Sequence, residues 1–344
     1  MEQVNRRPSK VKEGPINEPQ KLYSFAWAVE NTRRLDPMNV IKSRPLARLL
    51  HGRSVLAHLP KCRRRNISIQ RIAGSIGAEI HDVDLALDLP ENPGLVQEIR
   101  EAFLEHQVIF FRNQDHLDPE SFLTFTSHFG KPVEYPFVKG IDGFPTIIQV
   151  LKQEHETINF GGIWHSDTSY FAEPPMASVL LATKEVPPFG GDTLFANQYA
   201  AYDSLSDGLK DTLSSLKAVA TSAKADASKT REDRIRDSGN SAAKETLEAV
   251  HPVVRTHPET GRKALYVNVA HTSHFEGWTE DESAPLLKFL FNHQIKPELT
   301  CRFRWKAGSI AFWDNRCVQH NPINDYHGFR RRMLRITLAG DKPM

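Results

Sequence analysis

The chain has 344 residues, 40% hydrophobic and 25% charged, with a formal net charge of +2 and three cysteines. That is enough apolar sequence for a full core, and no apolar run approaches the roughly 18 residues of a membrane span. Cys62, Cys301 and Cys317 cannot build a disulfide framework, and the charged start lacks a secretory apolar stretch, so a cytoplasmic location is expected.

The small net charge conceals an asymmetry. Residues 1–65 hold 15 Lys and Arg against 5 Asp and Glu, whereas the remainder holds 29 against 37. Residues 1–66 therefore read as a basic, flexible N-terminal extension, and residues 67–344 as the globular domain. A basic arm could bind nucleic acid or serve as a targeting segment. The acidic domain, the lack of a recognition motif and the five acidic residues in the arm weigh against both.

From Ile67 the pattern is globular. ISIQRI (67–72) reads as a strand, and Leu95, Ile99 and Phe103 mark an amphipathic helix ending near His106. QVIFFR (107–112) reads as a buried strand. His116-Leu117-Asp118 offers an H-x-D triplet, but Asp118 precedes Pro119 and reads as the N-cap of a helix over 118–129. TIIQVL (146–151), SVLLAT (178–183) and TLFAN (193–197) read as strands. Weak patterning across Ser222–Ala243 suggests a mobile loop, a candidate lid. Thr279 and Glu282 form a capping box opening a helix to His293. CRFRW (301–305) and SIAFW (309–313) read as a strand pair around Lys306–Gly308. Many short strands with turn signals fit a jelly roll.

Two stretches carry chemistry. The first is WHSDTSY, where His165 and Asp167 at i and i+2 of an extended segment project to one side and can grip one ion. Roughly one H-x-D triplet is expected by chance in a chain with this many histidines, so the triplet alone is weak. The second, FWDNRCVQHNPINDYHGFRRRMLR, adds His320. Two imidazoles and one carboxylate on one face of a metal form the ligand set of non-haem Fe(II) oxygenases.

In the strand RRRMLRITLAG, Arg331, Met333 and Arg335 share one face. Burying such arginines requires anionic partners, and a dicarboxylate cosubstrate and an anionic substrate would supply them. An aggregation-blunting edge strand is the plainer alternative. Cys317 lies three residues before His320 and could be mistaken for a ligand. His251, His257, His271 and His274 lack a regular pattern that would make them a second metal site.

The chain resembles the taurine dioxygenase/TfdA family of Fe(II)- and 2-oxoglutarate-dependent dioxygenases. The likeness runs from about Ser68 to Met344, through WHSDTSY, PPFGGDTLFAN, WDNRCVQH and RRRMLRITLAGDKP. It implies a mainly β fold with flanking helices, a double-stranded β-helix or jelly roll. It implies iron ligands His165, Asp167 and His320, and Thr193 and Arg331 holding the distal carboxylate of 2-oxoglutarate. Arg335, Tyr135, Thr168 and His271 fall at the substrate side.

The implied reaction is hydroxylation of a small organic anion with O2 and 2-oxoglutarate. With Asp167 present no ligand position is vacated for a halide, which favours hydroxylation over halogenation. An alkylsulfonate would release sulfite and an aldehyde; alkyl sulfate esters or aryloxyalkanoates are the alternatives. Tyr135, Gly161 and His271 stand where taurine enzymes place a His, an Asn and an apolar ring, so the substrate stays open. So does the oligomeric state, a homo-oligomer included. A silent jelly-roll binding protein would have lost a ligand, and this triad is intact.

Overall fold

The computed structural model describes residues 67–90, 92–224 and 246–344. The basic extension and most of the segment expected to form a mobile loop lie outside them.

A nine-stranded sheet forms one wall. Its centre runs Val108–Phe111, Ile310–Asp314, Ala177–Ala182, Arg331–Leu338 and Phe144–Lys152, each hydrogen-bonded to the next. A three-stranded sheet of Thr300–Phe303, Thr193–Asn197 and Val318–Pro322 faces it. Strand periodicity sorts the apolar side chains between two layers. Phe110, Leu180, Trp313 and Met333 of the large sheet pack inward against Phe195, Phe303 and Val318 of the small one. Their neighbours Phe111, Val179, Phe312 and Ile336 point outward, under the helices Pro93–His106 and Pro119–Ser127. Phe103 stacks on Phe312 with ring centroids 4.1 Å apart. This is the expected jelly roll with flanking helices.

The helix signals act as the residues dictate. Asp118 accepts from the Ser121 amide and caps its helix, which removes the first H-x-D triplet from consideration. Thr279 and Glu282 close the capping box of Glu280–His293. The helix expected from Leu95 begins earlier, at Pro93, because Asn92 caps it.

One expectation is overturned. Thr300–Phe303 and Ile310–Asp314 do not pair with each other. The first pairs with Thr193–Asn197, and the second with both Val108–Phe111 and Ala177–Ala182. Lys306–Gly308 carries the chain from one sheet to the other. Gly308 makes that passage with φ +71°, and a Cβ there would fall 2.5 Å from the Asp115 nitrogen.

The edge-strand alternative also fails. Arg331–Leu338 lies between Phe144–Lys152 and Ala177–Ala182, at the sheet's interior. Its inward arginines, Arg331 and Arg335, are each only 5% exposed.

The stretch between Asn197 and Thr300 was the least legible. Before the capped helix Glu280–His293, its described residues form two short helices, Gln198–Asp203 and Asp207–Ser214, a small sheet of Lys217–Thr221, Glu248–Pro252 and Thr272–Phe275, and the strand pair Val254–Thr256 and Lys263–Leu265.

Candidate metal centre and flanking cavities

His165 and His320 are brought together by backbone. Each donates its amide to the other's carbonyl, at 3.0 and 2.8 Å, forming an isolated antiparallel bridge. Such a pair sets the Cα atoms about 5.5 Å apart with side chains on one face. The imidazole centroids are then 4.1 Å apart. Asp167 follows two residues after His165, and its Oδ1 lies 3.7 Å from His165 Nε2 and 3.8 Å from His320 Nε2. Three donors at that spacing can each stand about 2.2 Å from one ion.

The surroundings of His165 and Asp167 aim their lone pairs inward. His165 Nδ1 donates to the Ile163 carbonyl at 2.6 Å, leaving Nε2 as the free base. Asp167 Oδ2 faces away from the histidines. It accepts from the Ser178 hydroxyl at 2.7 Å and lies 3.0 Å from Arg335 Nη2. Burial pushes the Asp167 carboxyl up, but the Arg335 charge, the two histidines and Ser178 together hold it well below the usual carboxylate range. Burial keeps both imidazoles neutral by lowering their pKa; for His320 the neighbouring His165 adds to this.

Two supporting residues escaped sequence reasoning. Ser178 and Asn315 join in one network, Asn315 Nδ2 donating to Ser178 Oγ at 3.2 Å while its Oδ1 accepts from Trp313 Nε1 at 2.9 Å. The signal was present in ASVLLA: a lone hydroxyl inside a fully buried strand must have a partner. Gly161 has a local explanation too. It adopts φ +70°, and a Cβ would lie 3.0 Å from His165 Cε1.

Two narrow cavities meet at His165. On one side lie Thr193, Trp305, Arg331 and Arg335. Arg331 Nε and Nη2 are buried without a hydrogen-bond partner, and burial lowers the pKa of this guanidinium. Its Cζ lies 5.5 Å from the Trp305 ring centroid. Thr193 Oγ1 accepts from Trp305 Nε1 at 3.0 Å, so its own proton remains to donate. A buried cation with unused donors beside a hydroxyl whose proton is uncommitted can receive a carboxylate.

On the other side lie Tyr135, Thr168, Tyr170 and His271. Thr168 is held at φ +40°, strained backbone of the kind that gathers at functional sites. Arg335 Cζ lies 5.3 Å from the Tyr135 ring centroid. Asn268 Oδ1 accepts from the His271 amide, its Nδ2 donates to Ser169 Oγ, and that hydroxyl bonds His271 Nδ1 at 2.9 Å. With one lone pair taken by Asn268, the Ser169 hydroxyl can donate to Nδ1, the arrangement that leaves the His271 proton on Nε2.

Among the described residues, the remaining histidines do not assemble a second centre. His257 does approach Asp314 and Cys317. Its Nδ1 accepts from the Glu259 and Thr260 amides, however, and its Nε2 bonds Asp314 Oδ2 at 3.0 Å. Arg316 occupies both oxygens of Asp314. This is a buried ion-pair network in which the lone pairs of His257 and Asp314 are engaged, and burial pushes the Cys317 thiol pKa up, away from the thiolate a metal would need.

The sequence matches the family described as taurine catabolism dioxygenase TauD, TfdA family, over residues 68–337. It is 36% identical to an alpha-ketoglutarate-dependent sulfate ester dioxygenase of Pseudomonas putida, covering 81% of this chain and 91% of that one. A solved taurine dioxygenase from Burkholderia xenovorans shares 35% identity at a TM-score of 0.68, over 81% and 91% of the two chains. The structure of AAD-2 with Mn(II) and N-oxalylglycine is 26% identical at a TM-score of 0.65, over 81% and 99%.

Proposed function

Because the chain belongs to the TauD/TfdA family of Fe(II)- and 2-oxoglutarate-dependent dioxygenases, we propose that it hydroxylates a small alkyl anion carrying a sulfate-ester or sulfonate group. In this reading His165, Asp167 and His320 hold the Fe(II), and Arg331 with Thr193 receives the distal carboxylate of 2-oxoglutarate. Iron and cosubstrate supply the oxidising power, coupling oxidative decarboxylation of 2-oxoglutarate by O2 to insertion of oxygen into a C–H bond.

The protein's own residues position and select. His165 Nδ1 and Asp167 Oδ2 are both engaged, which leaves Nε2 and Oδ1 to bind metal. Arg335 lies between that carboxylate and the Tyr135 ring, a place from which its charge reaches both cosubstrate and substrate. Tyr135, Thr168 and His271 form the substrate wall, with His271 Nε2–H as a fixed donor. Hydroxylation at the carbon bearing the sulfur group leaves an unstable product. A sulfate ester collapses to an aldehyde and sulfate, and a sulfonate to an aldehyde and sulfite.

The observation that carries the reading is the pair of buried inward arginines on the strand facing the triad. The sulfate ester dioxygenase at 36% identity supports the ester substrate, and the taurine dioxygenase fold supports the sulfonate as the second reading. Among the described residues no helix is long and apolar enough to cross a membrane; the cytoplasmic location belongs to this reading as a proposal. Succinate release across alkyl sulfates, alkyl sulfonates and aryloxyalkanoates, with sulfate and sulfite assayed beside it, tests the reading. His320→Ala should abolish substrate-dependent succinate while the chain still folds, since the bridge to His165 is made by backbone. Succinate release stimulated only by neutral compounds would overturn the anion assignment.

A further inference from the structure

We infer that Lys152 is a second cationic anchor for the distal carboxylate of 2-oxoglutarate, acting beside Arg331 and setting the preference for a dicarboxylate cosubstrate. The inference rests on the reading that Arg331 receives that carboxylate.

The strand register places Lys152 directly opposite Arg331. Residues so paired project from the same face, with Cβ atoms about 5 Å apart. Val150, two residues earlier on that face, lines the cavity that holds Arg331 and Thr193. Lys152 is 3% exposed, and its Nζ has no hydrogen-bond partner. The ammonium stands 4.5 Å from the centroid of the Tyr326 ring, and Arg331 Cζ stands 5.8 Å from the same ring.

Two buried cations facing each other across a strand pair repel, and burial removes the water that would screen them. A lysine ammonium usually reaches solvent or an ion pair; here its contact is the face of the Tyr326 ring, which offsets part of the burial but accepts no hydrogen bond of ordinary strength. Glu156 acts on Lys152 from a distance, and one of its carboxylate oxygens is engaged by the Gln153 amide. An incoming carboxylate between the two cations relieves the repulsion and satisfies donors on both. A 2-oxo acid lacking that carboxylate relieves neither.

The test is the dissociation constant of the Mn(II)-loaded protein, without turnover, for 2-oxoglutarate and for 2-oxobutyrate. Lys152→Met should weaken 2-oxoglutarate roughly ten- to a hundred-fold, the scale of one hydrogen bond to a charged group, and leave 2-oxobutyrate unchanged. Lys152→Arg, which keeps the charge, should stay within a few-fold of wild type. If Lys152→Met leaves 2-oxoglutarate binding unchanged, or weakens both acids equally, the lysine's role is overturned. If Lys152→Met does not fold, the same comparison is read from Lys152→Gln. An unchanged constant in Arg331→Ala would overturn the cosubstrate reading beneath the proposal, and the proposal with it.

Discussion

Replacing Arg335 by Met removes its charge and keeps an apolar stem, and the consequences divide between the metal-free and metal-loaded protein. In the free protein Arg335 Nη2 lies 3.0 Å from Asp167 Oδ2, and both residues are buried. Removing one member of such a pair costs about 3–5 kcal/mol, because the other charge stays behind without compensation. For a domain of this size each kcal/mol moves Tm by about 2 °C, so the metal-free variant should melt roughly 6–10 °C lower. Saturating Mn(II) should shrink the deficit, since the ion takes over as the positive partner of Asp167. Losing an orienting partner usually weakens metal binding by only about 1.4–2.7 kcal/mol, less than the pairing recovered, and Ser178 still holds Oδ2. Mn(II) should therefore bind the variant more tightly than wild type, although substrate turnover falls. Thermal melts with and without Mn(II), together with a metal titration, measure both quantities. Equal deficits in the two states would refute the argument and leave Arg335 to the substrate anion alone.

Thr193→Val removes both the donor offered to the carboxylate and the acceptor of the Trp305 indole. It should raise the 2-oxoglutarate KM by roughly ten-fold, the lower end for a hydrogen bond to a charged group, with Thr193→Ser near wild type and Arg331→Ala worse, in steady-state kinetics. Burial holds His106, His165, His251 and His320 below the ordinary imidazole value. The unfolded chain therefore binds more protons as pH falls through about 6.5, and the metal-free Tm should decline from pH 7 to 5. His165→Gln with His320→Gln should flatten that slope in pH-dependent melts. Deleting residues 1–66 should leave turnover nearly unchanged, because their composition builds no core; a large loss of activity in the truncated chain would contradict this.

The sequence by itself determined the chemistry class and most of the wall that carries it. Strand periodicity put Arg331, Met333 and Arg335 on one face, and burial of those residues bears this out. Capping residues placed two helices because a cap is a contact among near neighbours. Only the tertiary structure decided which strands pair. CRFRW and SIAFW are adjacent in sequence, yet each pairs within a different sheet, and no local pattern records that choice. It also decided that Arg335 is shared between Asp167 and the Tyr135 ring, and that Ser178 and Asn315 steady the carboxylate. Those partners lie 137–168 residues from one another along the chain in the Asp167–Arg335 and Ser178–Asn315 pairs. A hydrogen bond depends on distance and angle in space, and over such separations these are set by the packing of the whole sheet.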